Sequence, residues 1–374
     1  MGFDVIVIGG GLGGLCSTLH LSLKGLKVLL IEKHEYPKHK VCGEYISNEV
    51  LPYLNALGFD PFEFGAKAIS DFTLSTPGSR SVKTQLPLGG FGISRYCIDW
   101  ELAKKAQAAG AEIVHASVTD IEFENDRFRV LTKDDEFTAP LAIGSFGKRS
   151  NLDVKLDRAF IKQPSPFLGV KAHYKGHFPE NAVGLHNFEG GYCGVSKVET
   201  DNINVCYLSD FKSFKKYKNI DDFQEQVLSK NKFLKEILEN AELAFEKPLT
   251  ISQVSFELKN PVENYMIMCG DSAGMIHPLA GNGMSMAIRA AQMASLLILQ
   301  YKSGEIGTRA ELEKRYTKAW NKEFRARLQS GHIIAGAFRL GVISEILMIL
   351  LKLFPLILPT IISKTHGKPM TSEL

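Results

Sequence analysis

Residues 3–33 read FDVIVIGGGLGGLCSTLHLSLKGLKVLLIEK, and this stretch decides the fold. Phe3 to Ile8 is a short β-branched apolar run bounded by glycines, the pattern of a buried strand. A glycine turn follows, then CSTLHLSLKG reads as a helix ending at Gly25, and KVLLIEK as a second buried strand. Strand, glycine turn, helix and strand at this spacing imply a parallel pair joined by a right-handed crossover. The expected class is α/β, built on a Rossmann-like sheet.

Within the turn, Gly9, Gly11 and Gly14 satisfy G-x-G-x-x-G immediately after a strand and at the start of a helix. Gly9 permits the tight turn, Gly11 lets a pyrophosphate approach the backbone, and Gly14 lets the helix pack closely on the sheet. The phosphates would sit on the free N–H groups of the helix N-terminus. Glu32 closes the second strand about twenty residues on, where a carboxylate accepts hydrogen bonds from a ribose diol. A carboxylate there disfavours a 2′-phosphate, so the reading is FAD or NAD rather than NADP. The motif alone does not separate those two.

Further along, DWELAKKAQAA (Asp99 to Ala109) reads as a helix stopped by Gly110. Residues 111–144 read as strands and turns, with a charged hairpin near Asn125 and Asp126. From about Phe167 to Phe256, alternating segments predict an antiparallel sheet, interrupted by one long charged helix from Asp221 to Glu242. YMIMCGD is again a buried strand, followed by a glycine-rich turn, a helix from about Gly283 to Tyr301 and a helical remainder. No repeat or low-complexity linker is visible, so a second domain is expected as an insertion in the first.

The second glycine cluster, CGDSAGMIHPLAGNGMSMAIRAA (Cys269 to Ala291), places an aspartate at a strand end, then a Pro-Gly turn, then a helix. It resembles the second FAD motif of the geranylgeranyl reductase and flavoprotein monooxygenase superfamily. The resemblance implies FAD as cofactor, with Asp271 on the ribityl chain, Pro278 lining the flavin face and Gly281, Asn282, Gly283 and Met284 offering amide donors. Arg95, with Asp99 and Leu102, resembles the segment whose arginine reaches the flavin side; Val118 stands where a backbone contacts the adenine. Pro37 to Gly43 (PKHKVCG) resembles the P-x-x-K-x-C-G signature of geranylgeranyl reductases, which assigns Lys40 to the cofactor and Cys42 to the flavin neighbourhood. Glu44 stands where that family usually has a second glycine. Another departure is GSFGKRS (Gly144 to Ser150): Phe146 replaces the family's aspartate, which leaves the electron donor open between NAD(P)H and a separate reductase.

These readings assign residues 1–75 with 94–160 and 255–300 to a discontinuous FAD-binding domain. Residues 76–93 with 161–254 form an inserted antiparallel-sheet substrate domain, and 301–374 a helical C-terminus. Cys42 and His277 are the candidate catalytic residues, as proton donor or polar contact. Tyr192, His186 and Tyr207 fall on the substrate sheet without a definite role. No Ser/His/Asp constellation or metal-ligand spacing is apparent, so no metal is expected. The W-x-W-x-I-P signature of flavin halogenases is absent.

Composition fits an ordinary globular protein: 374 residues, 45% hydrophobic and 23% charged, with 44 Lys+Arg against 41 Asp+Glu. A net charge of +3 gives no case for nucleic acid. Six scattered cysteines without a CxxC pair suggest reduced thiols, and the N-terminal strand leaves no signal peptide. A cytoplasmic location, peripheral to the inner membrane face, is expected. Residues 301–374 carry 12 Lys/Arg against 6 Asp/Glu and the most apolar stretch, roughly Ile333 to Ile362, within which Ser344 to Ile362 is apolar on nearly every face and broken by Pro355 and Pro359. That stretch reads either as helices closing the substrate pocket or as an interfacial segment flanked by Arg325, Arg327, Arg339, Lys364 and Lys368. On either view the tail lies outside the flavin motifs, so deleting residues after about 330 is expected to spare FAD binding, provided the core still folds, and to weaken membrane or lipid association.

The functional expectation is an FAD-dependent oxidoreductase, geranylgeranyl reductase-like, acting on a hydrophobic isoprenoid, lipid or polyketide-like substrate. An FAD-dependent monooxygenase is the alternative, and a flavin-free lipid or prenyl-protein binding protein a distant one.

Overall fold

A computed structural model describes residues 2–374 except 164, 218, 255, 277–280 and 340; at 330, 332–339 and 341–343 only the backbone is described. The chain runs β1 (Val5–Ile8), α1 (Leu12–Leu23), β2 (Val28–Glu32), β3 (Tyr45–Ser47), α2 (Leu51–Ala56), β4 (Lys67–Ser75), β5 (Ser81–Gly92) and α3 (Arg95–Ala108). Then come β6 (Glu112–His115), β7 (Asp120–Glu124), β8 (Arg127–Leu131), β9 (Glu136–Ala139), β10 (Leu141–Gly144) and α4 (Asn151–Lys155). The middle region holds β11 (Phe167–Lys175), β12 (Ala182–Phe188), β13 (Gly191–Lys197), β14 (Ile203–Asp210), α5 (Phe211–Phe214), α6 (Ile220–Gln226), α7 (Lys232–Asn240), β15 (Glu242–Leu243) and β16 (Leu249–Val254). The chain ends with β17 (Val262–Glu263), β18 (Met266–Met268), α8 (Gly283–Lys302), α9 (Arg309–Arg339), α10 (Gly341–Leu353) and α11 (Ile357–Thr365).

The first sheet has six strands in the order β17-β18-β10-β1-β2-β6, parallel except for β17. Val5 to Ile8 and Val28 to Glu32 are buried throughout, as a sheet covered on both faces requires. Helices α3 and α8 pack on α1, and the small β7-β8-β9 sheet lies near β1 and β10. Asn125 and Asp126, at the tip of the β7–β8 hairpin, both have positive φ (50° and 59°), the geometry of a type I′ turn.

The second sheet has nine strands, β15-β11-β14-β13-β12-β4-β5-β3 with β16 beside β11. It is antiparallel except where β12 joins β4. Its strands alternate. On β11, Val170, Ala172 and Tyr174 pack under α6 and α7, while Lys171 and His173 point to the opposite face, toward the first sheet's loops. Strands β3 and β4 belong to this sheet, so the division read at residue 75 falls within the β4–β5 hairpin. The helix expected over 221–242 is interrupted at Val227–Asn231. Val227 leaves helical geometry (φ −120°, ψ −57°), and Asn231 caps a new helix by accepting from Phe233 N–H at 3.0 Å. Helix α3 begins at Arg95, earlier than Asp99, because the Ser94 hydroxyl caps it at Cys97 N–H (3.1 Å).

The apolar tail resolves into two faces. Met348 and Leu351 of α10 and Leu358 and Ile362 of α11 pack against Ile69, Leu74, Val82 and Leu86 of the second sheet. Ile346, Ile349, Leu350, Leu353, Phe354, Leu356 and Ile357 are exposed. Among the described residues no single helix is long and apolar enough to cross a membrane; Ser344–Leu353 and Ile357–Thr365 bend by 113° between them.

Candidate functional site

The first glycine turn shows which glycines the chain itself requires. Gly9 has φ +98°, and a Cβ there would lie 2.3 Å from Ser145 O. A Cβ on Gly14 would lie 2.0 Å from Gly9 O, which fixes the close approach of α1 to β1. Gly11 differs: its φ is −81°, and a Cβ would meet only Arg95 Nη2, at 3.7 Å. The space above Gly11 is open, and α1 starts there without a side-chain cap. Such a helix end offers free N–H groups and positive potential to an anion.

Glu32 lies at the carboxyl end of β2, with Oε2 accepting Gly10 N–H (2.6 Å) and Oε1 accepting His34 N–H (3.1 Å). Val118 follows β6, which pairs with β2 on the same side, and Ala116 N–H donates to Glu32 O at 3.1 Å. Lys40 Nζ donates to Gly10 O (3.3 Å) and to Asp99 Oδ2 (2.8 Å), while Arg95 grips Asp99 through Nε and Nη2 (2.7 and 2.8 Å). Burial alone would raise the Asp99 carboxyl, but Arg95 and Lys40 outweigh it and hold it below its ordinary value. One buried carboxylate thus fixes two cations beside the turn. That leaves the region positive, as a pyrophosphate site requires.

The second turn sits opposite. Asp271 follows β18; its carbonyl accepts Lys259 Nζ at 2.7 Å, and Lys259 also reaches Lys148 O at 2.7 Å. Burial raises the Asp271 carboxyl against the opposing charges of Lys259, Arg95 and Lys148; burial likewise lowers Lys148 and Lys259 to about 8. Gly281 has φ +62°, and α8 then opens at Gly283 and Met284 with Asn282 as a cap that makes no side-chain capping bond. Asn282 Nδ2 instead donates to Glu49 Oε1 (2.9 Å) and Thr365 O (3.2 Å). Among the described residues, Asn282 Oδ1 and Ser285 Oγ are buried without a hydrogen-bond partner, which suits a polar group bound at this helix end. His277 and Pro278 lie outside the described residues.

Between the two turns runs the loop Pro37 to Glu44. Cys42 Sγ lies 3.4 Å from Met284 Sδ, so the loop reaches the start of α8. Burial pushes the Cys42 thiol up, with Arg95 opposing. Asn204 Nδ2 holds the loop through Cys42 O (3.2 Å) and Gly43 O (2.8 Å). Glu44 adopts φ +53°, the left-handed conformation a glycine would take without strain. Its buried carboxylate accepts from Lys171 Nζ (2.5 Å), His173 Nε2 (2.7 Å) and Arg95 N–H (2.8 Å). Lys171, His173 and Asn204 were missed in the sequence. The signal was a polar alternation, Lys171 and His173 among Val170, Ala172 and Tyr174, on a strand read for its sheet pattern and not for its polar face. His186 bonds Ser75 Oγ (2.9 Å) and stacks on Phe233, and Tyr207 packs on Phe188 and Phe223, so both serve the far face of the sheet. Tyr192 packs with Leu208, Val254 and Phe256.

Against known proteins, residues 4–41 match the family model for FAD dependent oxidoreductases. The digeranylgeranylglycerophospholipid reductase of Methanocaldococcus jannaschii is 26% identical over 347 residues, covering 88% of this chain and 83% of the relative. The solved flavin-dependent brominase Bmp2 superposes with a TM-score of 0.79 at 18% identity, covering 97% and 94% of the two chains. A geranylgeranyl bacteriochlorophyll reductase-like protein from Thermoplasma acidophilum superposes at 0.73 with 18% identity, covering 90% and 88%. These last two share the fold. With the glycine turns, the chain is an FAD-dependent oxidoreductase. Its relatives and its fold resemble the geranylgeranyl reductase / flavoprotein monooxygenase superfamily.

Proposed function

We propose that this oxidoreductase reduces carbon–carbon double bonds of an isoprenoid lipid, with the substrate lying between the α8 N-terminus and the second sheet. The observation that carries this reading is the Cys42–Met284 contact, which brings the Pro37–Glu44 loop to the start of α8; nearby on the second sheet, Leu74, Val183 and Leu185 form an apolar surface packed with α10 and α11. A polar substrate would find little to bond on that wall. The name of the Methanocaldococcus relative, a reductase of a polyprenyl lipid, points the same way.

FAD supplies the hydride chemistry. With FAD bound, Gly9, Gly11 and Gly14 with the α1 N-terminus would hold the pyrophosphate, Glu32 the ribose and Val118 the adenine. Lys40 and Arg95 would neutralise phosphate charge. Asp271 would take the ribityl hydroxyls, and the Gly281–Met284 turn would offer its amides to the negative charge of a reduced flavin. Cys42, kept protonated by burial, holds a proton beside the substrate.

The exposed face of α10 and α11 carries a groove of about 580 Å³ lined by Leu353, Phe354, Leu356, Ile357, Ile361 and Lys364. Leu353 is 66% and Leu356 80% exposed. A patch of this kind is suited to the acyl boundary of a bilayer, with Lys352 and Lys364 near headgroups. Arg327, expected among the lipid-facing cations, instead turns inward to Glu323 and Glu49 and takes no part.

The test is an anaerobic single turnover of the reduced holoprotein with a geranylgeranyl lipid, read by mass spectrometry. Gain of two hydrogens without oxygen supports the reductase. Strict oxygen dependence with one added oxygen atom supports the hydroxylase instead.

A further inference from the structure

We propose that His39, His173, Glu44 and Lys171 form a proton-supply path running from a half-exposed imidazole at the surface to Cys42. The geometry begins in the strand register. On neighbouring β11 and β14, His173 stands opposite Asn204 and Lys171 opposite Cys206. The loop Cys42–Glu44 lies across these two pairs: Asn204 grips its carbonyls, and Lys171 and His173 grip the Glu44 carboxylate. Glu44, Lys171 and His173 are all buried, and a non-glycine residue keeps a left-handed backbone only where its surroundings over-determine it. Three charge-assisted bonds to one carboxylate are that over-determination.

His39 completes the line to the outside. It is half-buried, with its ring centroid 5.2 Å from that of His173 and 4.6 Å from those of Tyr96 and Phe245. Among the described residues its Nδ1 is buried without a partner, and one ligating atom each from His39, Glu44 and His173 lie within 4.8 Å of one another. Burial first, then Lys171 and His173, lowers its pKa to about 4, so it is a neutral imidazole able to accept at one nitrogen and donate at the other. The groups facing Glu44 are Lys171 and His173 from β11 and Arg95 from α3. Together with burial they leave its carboxyl below the ordinary value, so it stays ionised and bridges the two donors. The same three side chains resemble a divalent-cation site, but the Lys171 ammonium already occupies the carboxylate and would repel an ion.

The proposal rests on the reductase reading. Saturating a double bond takes one hydride, from reduced FAD, and one proton. The Cys42 thiol gives its proton to the substrate carbon, forming the C–H bond. The thiolate takes a proton from the Lys171 ammonium, whose charge acts on Cys42, and Lys171 regains one from His173, the Glu44 carboxylate bonded to both accepting it and passing it on. His173 is resupplied through His39 from water, so one solvent proton is consumed per double bond.

Two measurements test the path. In the flavin-free chain with 15N-labelled histidine, exchange of the His173 Nε2 proton with water is followed by NMR. His39→Phe, which keeps the ring packing, should slow it at least tenfold, and exchange at the wild-type rate would overturn the path. Stoichiometric binding of Zn2+ alone to the wild type, read by calorimetry and abolished by His173→Asn, would make the cluster a metal site and also overturn it. In the FAD-loaded protein reduced with dithionite, His39→Phe should slow reoxidation by geranylgeranylglycerol at least tenfold. The solvent isotope effect should rise while the flavin spectrum and Tm stay the same, and imidazole should restore His39→Ala. Wild-type rates in His39→Phe refute the path. If the wild type itself is not reoxidised by the lipid, the reductase reading fails and the exchange measurement alone decides.

Discussion

Gly11→Ala separates the cofactor from the fold. In the chain the added Cβ meets only Arg95 Nη2 at 3.7 Å, an ordinary contact, and φ of −81° suits any residue. Alanine loses some N-cap preference but restricts the unfolded chain, effects of opposite sign and each about 0.5–1 kcal/mol. Flavin-free stability should therefore move by less than about 1 kcal/mol. The methyl group fills the space through which a pyrophosphate reaches the α1 amides. Losing two charge-assisted hydrogen bonds at roughly 1.5–3 kcal/mol each raises Kd by about two to four orders of magnitude.

The readouts are visible flavin absorbance of the purified protein and thermal melts with and without added FAD. At a hundredfold excess over Kd, FAD stabilises the wild type by about 2.7 kcal/mol. Over 374 residues, with an unfolding entropy of about 2.1 cal/mol/K per residue, that is a shift of about 3 °C. Gly11→Ala should lose the shift and keep the flavin-free Tm. Gly14→Ala is the contrast: its Cβ would stand 2.0 Å from a backbone oxygen, so both melts should fall, by roughly 1–3 kcal/mol or more. Stoichiometric FAD on Gly11→Ala would refute the map of the turn. A collapsed flavin-free melt would refute the claim that the position is open.

Asp271→Asn should fold and lose most FAD, because the protein uses the Asp271 carbonyl, not its side chain, to hold Lys259; equilibrium dialysis checks it. Burial lowers His186 from its ordinary value of 6.5 to about 4, so the unfolded chain takes up the proton first on acidification. The stability present above pH 6.5 is then lost as pH falls toward 4, by about 3 kcal/mol from this group, and denaturant titrations of His186→Gln should show a shallower slope there. Replacing Leu353, Phe354 and Leu356 together by serine should weaken binding to anionic vesicles at least tenfold with flavin content unchanged. Unaltered vesicle binding would remove the membrane reading. Truncation after residue 330, by contrast, should damage the core: Thr365 O holds Asn282, Glu49 O accepts Met370 N–H, and Gln292 bonds Thr371 O.

The parallel βαβ unit, the glycine turn with Glu32 and the second turn at Asp271 were all legible from residue order. Each is written in local chemistry: β-branched runs, glycines where a Cβ would collide, a carboxylate at a strand end. The same holds for the start of α8 at Gly283. What stands across from these turns came from the folded packing. Glu44 looked like a lost glycine, and its role depends on Lys171 and His173, more than a hundred residues away and joined to it only by the packing of one sheet on another's loop. The tail was legible as apolar and basic, but not that α10 has an inner and an outer face or that the final residues secure α8 at Asn282 and Gln292. Local propensity fixes elements and turns within a few residues. Long-range partners are fixed by which buried charges and apolar faces must be satisfied at once, and a single chain read in order does not contain that closure.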